Sequence, residues 1–298
     1  MCRSEINSYM ERFQIRTDLA LEARESVGEG VESIHGVRME EYTIPTSEIH
    51  VTKVMIESKN GARMIGKPMG TYITLEAPNL LEPDEDYHAE VSKEIAKHVK
   101  SLIPGIRHEK SILVVGLGNR DVTADALGPR SVDNLLITRH VMEQFGPAAY
   151  DKDKMHKISA IVPGVMARTG MEACEIVRGI VEQTKPDVIV AIDALAARST
   201  KRLNRTIQIT NTGIHPGSGV GNHRNALTEE SLSIPVIAIG IPTVVDAASI
   251  VNDVLEKNQL PLFTGELANF YVTGKDIDEI IKKLSFTISE ALNQAFDM

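Results

Sequence analysis

The sequence is poor in cysteine, has no long apolar run and carries no excess of positive charge. Each absence removes a class of function. Two cysteines, Cys2 and Cys174, supply neither a disulfide framework nor metal-site spacing, so a reducing cytoplasm suits the chain best. No stretch reaches the roughly 18 apolar residues of a membrane span. Residues 1–20 lack the continuous apolar region of a secretory signal. The chain is therefore expected to be neither embedded nor secreted. Thirty-two basic against 41 acidic side chains leave a formal charge of −9, which argues against direct binding to nucleic acid or to an anionic membrane. His-Glu-x-x-His, Cys-x-x-Cys and Gly-x-Ser-x-Gly are also missing, and with them the standard zinc-peptidase and serine-hydrolase signatures.

What is present reads as α/β. The spacing of Tyr87, Val91, Ile95, Val99 and Leu102 predicts a helix from Pro83 to Ile103, with Asp84, Glu85 and Asp86 at its start and Lys97 and Lys100 near its end. Apolar runs at 112–116, 158–162 and 188–192 alternate with helical patterns at 130–145 and 171–184, the βαβαβ order of a parallel sheet. Strands at 206–210 and 235–239 and helices at 245–256 and 275–293 complete a three-layer, parallel-core sheet flanked by helices. Upstream, 50–57 and 70–76 read as antiparallel strands of an additional small N-terminal β region. Residues 19–298 form a single domain on this reading, with 19–109 the N-terminal β/helix region and 110–298 the core.

Asp-Ala-Leu occurs twice, as Asp125-Ala126-Leu127 and Asp193-Ala194-Leu195, each just past an apolar run. Ligands and chemistry in open α/β sheets collect beyond the carboxyl ends of the strands. The two aspartates are thus a candidate acid/base pair, although loop aspartates also cap helices and close turns. Gly116-Leu117-Gly118-Asn119 follows the first core strand as a dinucleotide loop would, but Asp121 stands where the third glycine belongs. Its glycines instead let the loop fold back so that Asn119 and Asp125 face one crevice. Pro163 to Gly170 forms a second strand-to-helix loop, from which Arg168 and Thr169 can reach the same place. Arg198, Lys201, Arg202 and Arg205 can hold acidic side chains of a substrate or form a solvated surface. Gly213 to Gly221 is glycine-dense enough to cradle an oxyanion or phosphate, and His215 lies within it. The leading chemistry is carboxylate acid/base hydrolysis, one Asp activating water and its partner donating a proton. A metal-assisted peptidase using Asp125, Asp193 and His215 stays open. So do a phosphate- or nucleoside-binding protein built on the Gly213–Gly221 loop and a scaffold that binds acidic partners without cutting them.

Six blocks occur together in one order: Gly116 to Asn119, Asp125 to Pro129, Val132 to His140, Ala160 to Met166, Ala191 to Arg198 and Gly213 to Asn222. From about Ile15 onward the chain resembles the germination proteases of spore-forming bacteria. The resemblance implies an endopeptidase that begins the degradation of small acid-soluble spore proteins, located in the cytoplasm of the forespore and the spore core. It implies a homotetrameric zymogen that removes its own N-terminus, with residues 1–18 as propeptide, and the proposed catalytic aspartates map onto Asp125 and Asp193. It requires no cofactor. The fold is similar to that of hydrogenase-maturation endopeptidases, whose metal-binding Asp-Glu pair is not reproduced because Ala126 follows Asp125. It marks Asp18-Leu19-Ala20 as the self-cleavage site, at what the composition alone reads as an exposed, mobile boundary, and it gives the basic residues near Arg198 a role as partners for substrate acids; with the loop residues read above, the substrate-binding candidates are Asn119, Arg168, Arg198, Arg202 and His215. A chain numbered from Met1 is expected to be the unprocessed form. Some members carry an extra segment where this chain has only 257–265.

Overall fold

The computed structural model describes residues 18–25, 35–106, 109–146, 155–216, 225–257, 267 and 270–297. Nine strands among them form one sheet in the order β1-β2-β3-β7-β8-β6-β4-β5, with β9 (Tyr271–Val272) paired to β8. The parallel core comprises β4 (Ser111–Gly116), β5 (Lys157–Ile161), β6 (Val188–Ala197) and β8 (Val236–Asp246). The wing comprises β1 (Val37–Ile44), β2 (Ile49–Ile56), β3 (Gly70–Glu76) and β7 (Thr206–Thr210), all antiparallel to their neighbours. The N-terminal β region is thus continuous with the core sheet through the β3–β7 pairing, and helix α2 (Lys59–Ile65) separates β2 from β3.

The core strands carry apolar residues at successive positions, as strands buried on both faces do. Ile112, Val114, Val190, Ile192 and Ile239 pack on one face against α3 (Glu85–Leu102) and α10 (Ile277–Ala295). Leu113, Val115, Ile189 and Ala191 pack on the other against α7 (Ala173–Thr184), where Cys174 is buried. The expected charge pattern of α3 is realised at its start, where the Asp84 carboxylate accepts the Tyr87 N–H at 3.0 Å.

Three expectations are corrected. The helix foreseen over 130–145 is two, α4 (Leu127–Asp133) and α5 (Arg139–Phe145). Between them Leu136 N–H donates to Asn293 Oδ1 and Thr138 N–H to the Ile158 carbonyl, so tertiary partners take over from helical ones. The strand foreseen over 188–192 runs on to Ala197, because β8 continues beside it, so Asp193 lies inside a strand rather than past its end. Strand β1 was not expected at all: it is an edge strand with mostly exposed positions, including Arg38, Glu40 and Glu41, and has no buried face to reveal it. No helix among the described residues is long and apolar enough to cross a membrane.

Candidate active site

β6 outlasts β4: Gly116 pairs with Ile192, and β6 continues for five residues. The chain leaving β4 turns back over this step. Gly118 makes the turn possible, with φ +113° and a Cβ direction only 2.0 Å from the Asp125 carbonyl oxygen. The turn ends in a short 3-10 segment, Thr123–Asp125, and α4 then packs directly on the strand ends. Gly128 is the contact point. A Cβ there would lie 2.4 Å from the Leu117 carbonyl oxygen and 2.5 Å from that of Ile192.

Asp125 is fixed by its own loop, its Oδ2 accepting the Asn119 N–H at 2.7 Å. The loop is in turn tied to β8. Between Leu195 and Ala196 the β6–β8 register shifts at a bulge, and the extra residue, Thr243, donates its hydroxyl to the Ala124 carbonyl at 2.6 Å. Asp193 is buried in β6, with Oδ1 accepting the Ala194 N–H at 2.9 Å. Asp125 and Asp193 line one cavity of about 280 Å³, together with Asp18 and Thr243.

The segment beginning at Asp18 enters this crevice. Asp18 N–H donates to the Ala196 carbonyl at 3.2 Å, and the Asp18 carboxylate accepts the Ala196 N–H at 3.0 Å. Leu19 is fully buried among Leu195, Ile214 and Leu227, while Ala20 packs with Val54, Ile56 and Tyr72 at the start of α1 (Ala20–Glu25). The expectation of an exposed, mobile boundary at Asp18 and Leu19 is therefore corrected: burial of the Leu19 side chain alone contributes about 2 kcal/mol to holding it. Glu22, 3% exposed, accepts the N–H groups of Arg198 at 2.9 Å and Ser199 at 3.1 Å, and its Oε1 lies 3.4 Å from the Arg202 guanidinium. Arg202 also donates to Glu76 at 3.3 Å.

The remaining candidates disperse. His215 is exposed and lines a smaller cavity of about 70 Å³ with Asp193, Lys67 and Gln208. The Asn119 side chain turns to the Asp121 N–H at 3.1 Å, and Arg168 pairs with Asp121 at the surface; neither lines a cavity described above. Lys201 and Arg205 are exposed. Residues 217–221 of the glycine-dense loop, and most of the 257–265 connector, lie outside the described residues. Among the described residues no group of three or more His, Cys, Asp or Glu side chains converges as metal ligands do, and Asp125 and His215 line different cavities.

Sequence reasoning passed over two residues here. Lys67 donates to the Asp18 carbonyl oxygen at 3.0 Å, and Gln208 Nε2 donates to the same oxygen at 3.2 Å. Burial lowers the Lys67 ammonium pKa below its ordinary value, with the Asp18 and Glu22 carboxylates opposing that shift. Burial also pushes the Tyr72 phenol, on the wall of the same small cavity, up to about 12. No motif flags either residue. Only the alternation that places Gln208 on the crevice face of β7 could have singled it out.

A structure search returns a NiFe hydrogenase maturation protease, HycI from Thermococcus kodakarensis, at 18% identity and a TM-score of 0.33, covering 66% of this chain and 99% of that one. A germination protease of Caldanaerobacter subterraneus is 44% identical over 94% of each chain, and one of Clostridium perfringens 42% over 95% of each. One of Bacillus cereus is 47% identical over 83% of this chain and 67% of its own length. The family model described as "Germination protease" matches residues 15–258. A family match over most of the chain, together with relatives of this identity and coverage, means that the chain belongs to the germination protease family.

Proposed function

We propose that the protein is an aspartate-dependent endopeptidase in which Asp125 and Asp193 act together, one ionised carboxylate taking a proton from water while its partner protonates the leaving amine. The observation that carries this reading is the single cavity lined by Asp18, Asp125 and Asp193, which brings an acidic residue of the chain itself to both candidate carboxylates. Asp18–Leu19 is the self-processing bond, residues 1–18 are the propeptide, and 19–298 is the peptidase domain. On this reading carboxylate activates the water, and chelator sensitivity separates it from a metal-assisted reaction.

Glu22 stands in for the acidic side chain of a protein substrate, held by the N–H groups of Arg198 and Ser199 and by the Arg202 guanidinium. Its place, four residues beyond Asp18, supports a preference for acidic residues on both sides of the cut. Small acid-soluble spore proteins are the proposed substrates, the spore core the proposed location and a homotetramer the proposed assembly. Asn119 serves by fixing Asp125 through its N–H.

Intact-mass measurement tests the reading. Wild type and Asp193→Asn are incubated side by side at mildly acidic pH, each with and without chelator. Loss of residues 1–18 is expected only in wild type, chelator or not. Processing that stops with chelator would return the metal-assisted alternative.

A further inference from the structure

The Asp18 carbonyl oxygen is the acceptor of two side chains far away in sequence, the Lys67 ammonium at 3.0 Å and the Gln208 carboxamide at 3.2 Å. Both are held in place. Lys67 follows Gly66, whose φ of +71° ends α2, and Lys67 N–H donates to the Ala62 carbonyl at 3.2 Å. Gln208 lies within β7, paired with Thr74 and Gly240, and its Oε1 accepts the Ala20 N–H at 2.6 Å. That bond leaves Nε2 as the end facing Asp18, so one carboxamide grips the chain on both sides of Leu19. Lys67, Gln208 and Asp193 share the wall of the smaller cavity, while Asp18 and Asp193 also line the larger one with Asp125.

Two donors converging on a carbonyl whose residue borders a carboxylate pair is the geometry of oxyanion stabilisation. We propose that Lys67 and Gln208 are catalytic residues that bind the carbonyl oxygen of the bond being cut, first in Asp18–Leu19 and then in protein substrates. The proposal rests on the assignment of Asp18–Leu19 as the processed bond. In the addition step, water oxygen bonds to the Asp18 carbonyl carbon, a water proton passes to the ionised aspartate, and the carbonyl π pair moves onto oxygen as an alkoxide held by both donors. In the collapse step the carbonyl re-forms, the bond to the Leu19 nitrogen breaks, and that nitrogen takes a proton from the protonated carboxyl. Water and peptide are consumed, and a carboxylic acid and an amine are released. A cation at this oxygen gains most from the charge that develops there. Its lowered pKa reflects the dry setting that strengthens the interaction.

The test uses the full chain. Self-processing is timed by intact mass for wild type, Lys67→Met, Lys67→Arg and Gln208→Glu, the last of which keeps the acceptor for Ala20 while removing the donor. Hydrogen exchange at residues 19–22 is followed in parallel, and circular dichroism verifies folding. The expected result is a processing rate about 100-fold lower or more in Lys67→Met and in Gln208→Glu. Exchange protection stays at the wild-type level, and Lys67→Arg recovers to within about tenfold of wild type. Either donor variant alone decides the matter if the other fails to fold. Processing at the wild-type rate overturns the proposal. A slower rate accompanied by lost protection also overturns it, since Lys67 and Gln208 would then be anchors only. Wild type that never sheds residues 1–18 overturns the assignment of the bond and the proposal with it, whereas processing by Asp193→Asn overturns the carboxylate pair alone.

Discussion

Two clusters of buried or half-buried charge invite comparison, one on the wing and one in the crevice. On the wing, Tyr42 of β1 donates to Glu94 at 2.5 Å and meets His98 Nε2 at 3.0 Å, and Lys97 reaches Glu94 at 2.6 Å while lying 5.1 Å from the centre of the Tyr42 ring. Burial lowers the His98 pKa, with Glu94 opposing, and burial of Glu94 is more than offset by its Lys97 and Tyr42 hydrogen bonds, which leave its pKa lowered. In the crevice, Lys67 is likewise shifted by burial, but it donates to a backbone carbonyl and borders a cavity. Perturbed titration alone therefore does not mark a catalytic group. The wing cluster closes on its own side chains and fastens an edge strand to α3. The crevice cluster opens onto space a substrate can enter.

The comparison breaks most sharply if the crevice aspartates are dispensable. Asp125→Asn and Asp193→Asn are each expected to lower the rate of peptide hydrolysis by about 10²–10⁴-fold with the thermal midpoint little changed. By contrast Glu94→Gln should lower the midpoint and leave the rate per folded molecule as it was. Parallel calorimetry and peptide assays on these variants separate the two regions.

Gly128→Ala probes the link between sheet and site. The added methyl meets two backbone oxygens within 2.5 Å, so α4 must move off the strand ends, at a cost of about 1–3 kcal/mol in chemical denaturation, and Asp125 moves with it. Arg202→Gln is expected to raise KM about tenfold for a peptide with Glu four residues beyond the cut, from the loss of a charge-assisted hydrogen bond, and far less for the matching Gln peptide. The smallest effect is on the wing. His98 binds its proton less readily folded than unfolded, so the unfolded chain takes up more protons in acid; stability is full above pH 6.5 and falls as pH drops below it. His88 and His156 are shifted in the same direction by burial and add to the trend, so His98→Gln should flatten only part of the slope in melts between pH 5 and 7.

Much of the frame was legible beforehand because it rests on local patterns. The Asp84 cap, the apolar spacing of α3 and the continuous apolar runs of β4, β6 and β8 each leave a mark in consecutive residues. The same logic brought Asp125 and Asp193 forward as a pair. It failed where no local pattern exists. The exposed, charged residues of β1 leave no apolar alternation to mark a strand, and Asn293 and Ile158 interrupt the helix foreseen over 130–145 from more than a dozen residues away. Leu19 was misjudged because an apolar residue beside a polar terminus looks exposed until Leu195 and Ile214 are seen to cover it.

The sequence by itself determined the α/β class and the order of the core elements, which follow from periodicity and apolar runs, and the family, which six blocks in a fixed order carry; it put Asp125 and Asp193 forward as a candidate pair. Only the tertiary structure decided that β6 overruns β4, that Asp18 crosses that step, that Glu22 meets Arg202, and that Lys67 and Gln208 converge on one carbonyl oxygen. Those contacts join residues as many as 190 positions apart, and their distances are set by sheet order and register, which no single segment of the chain encodes.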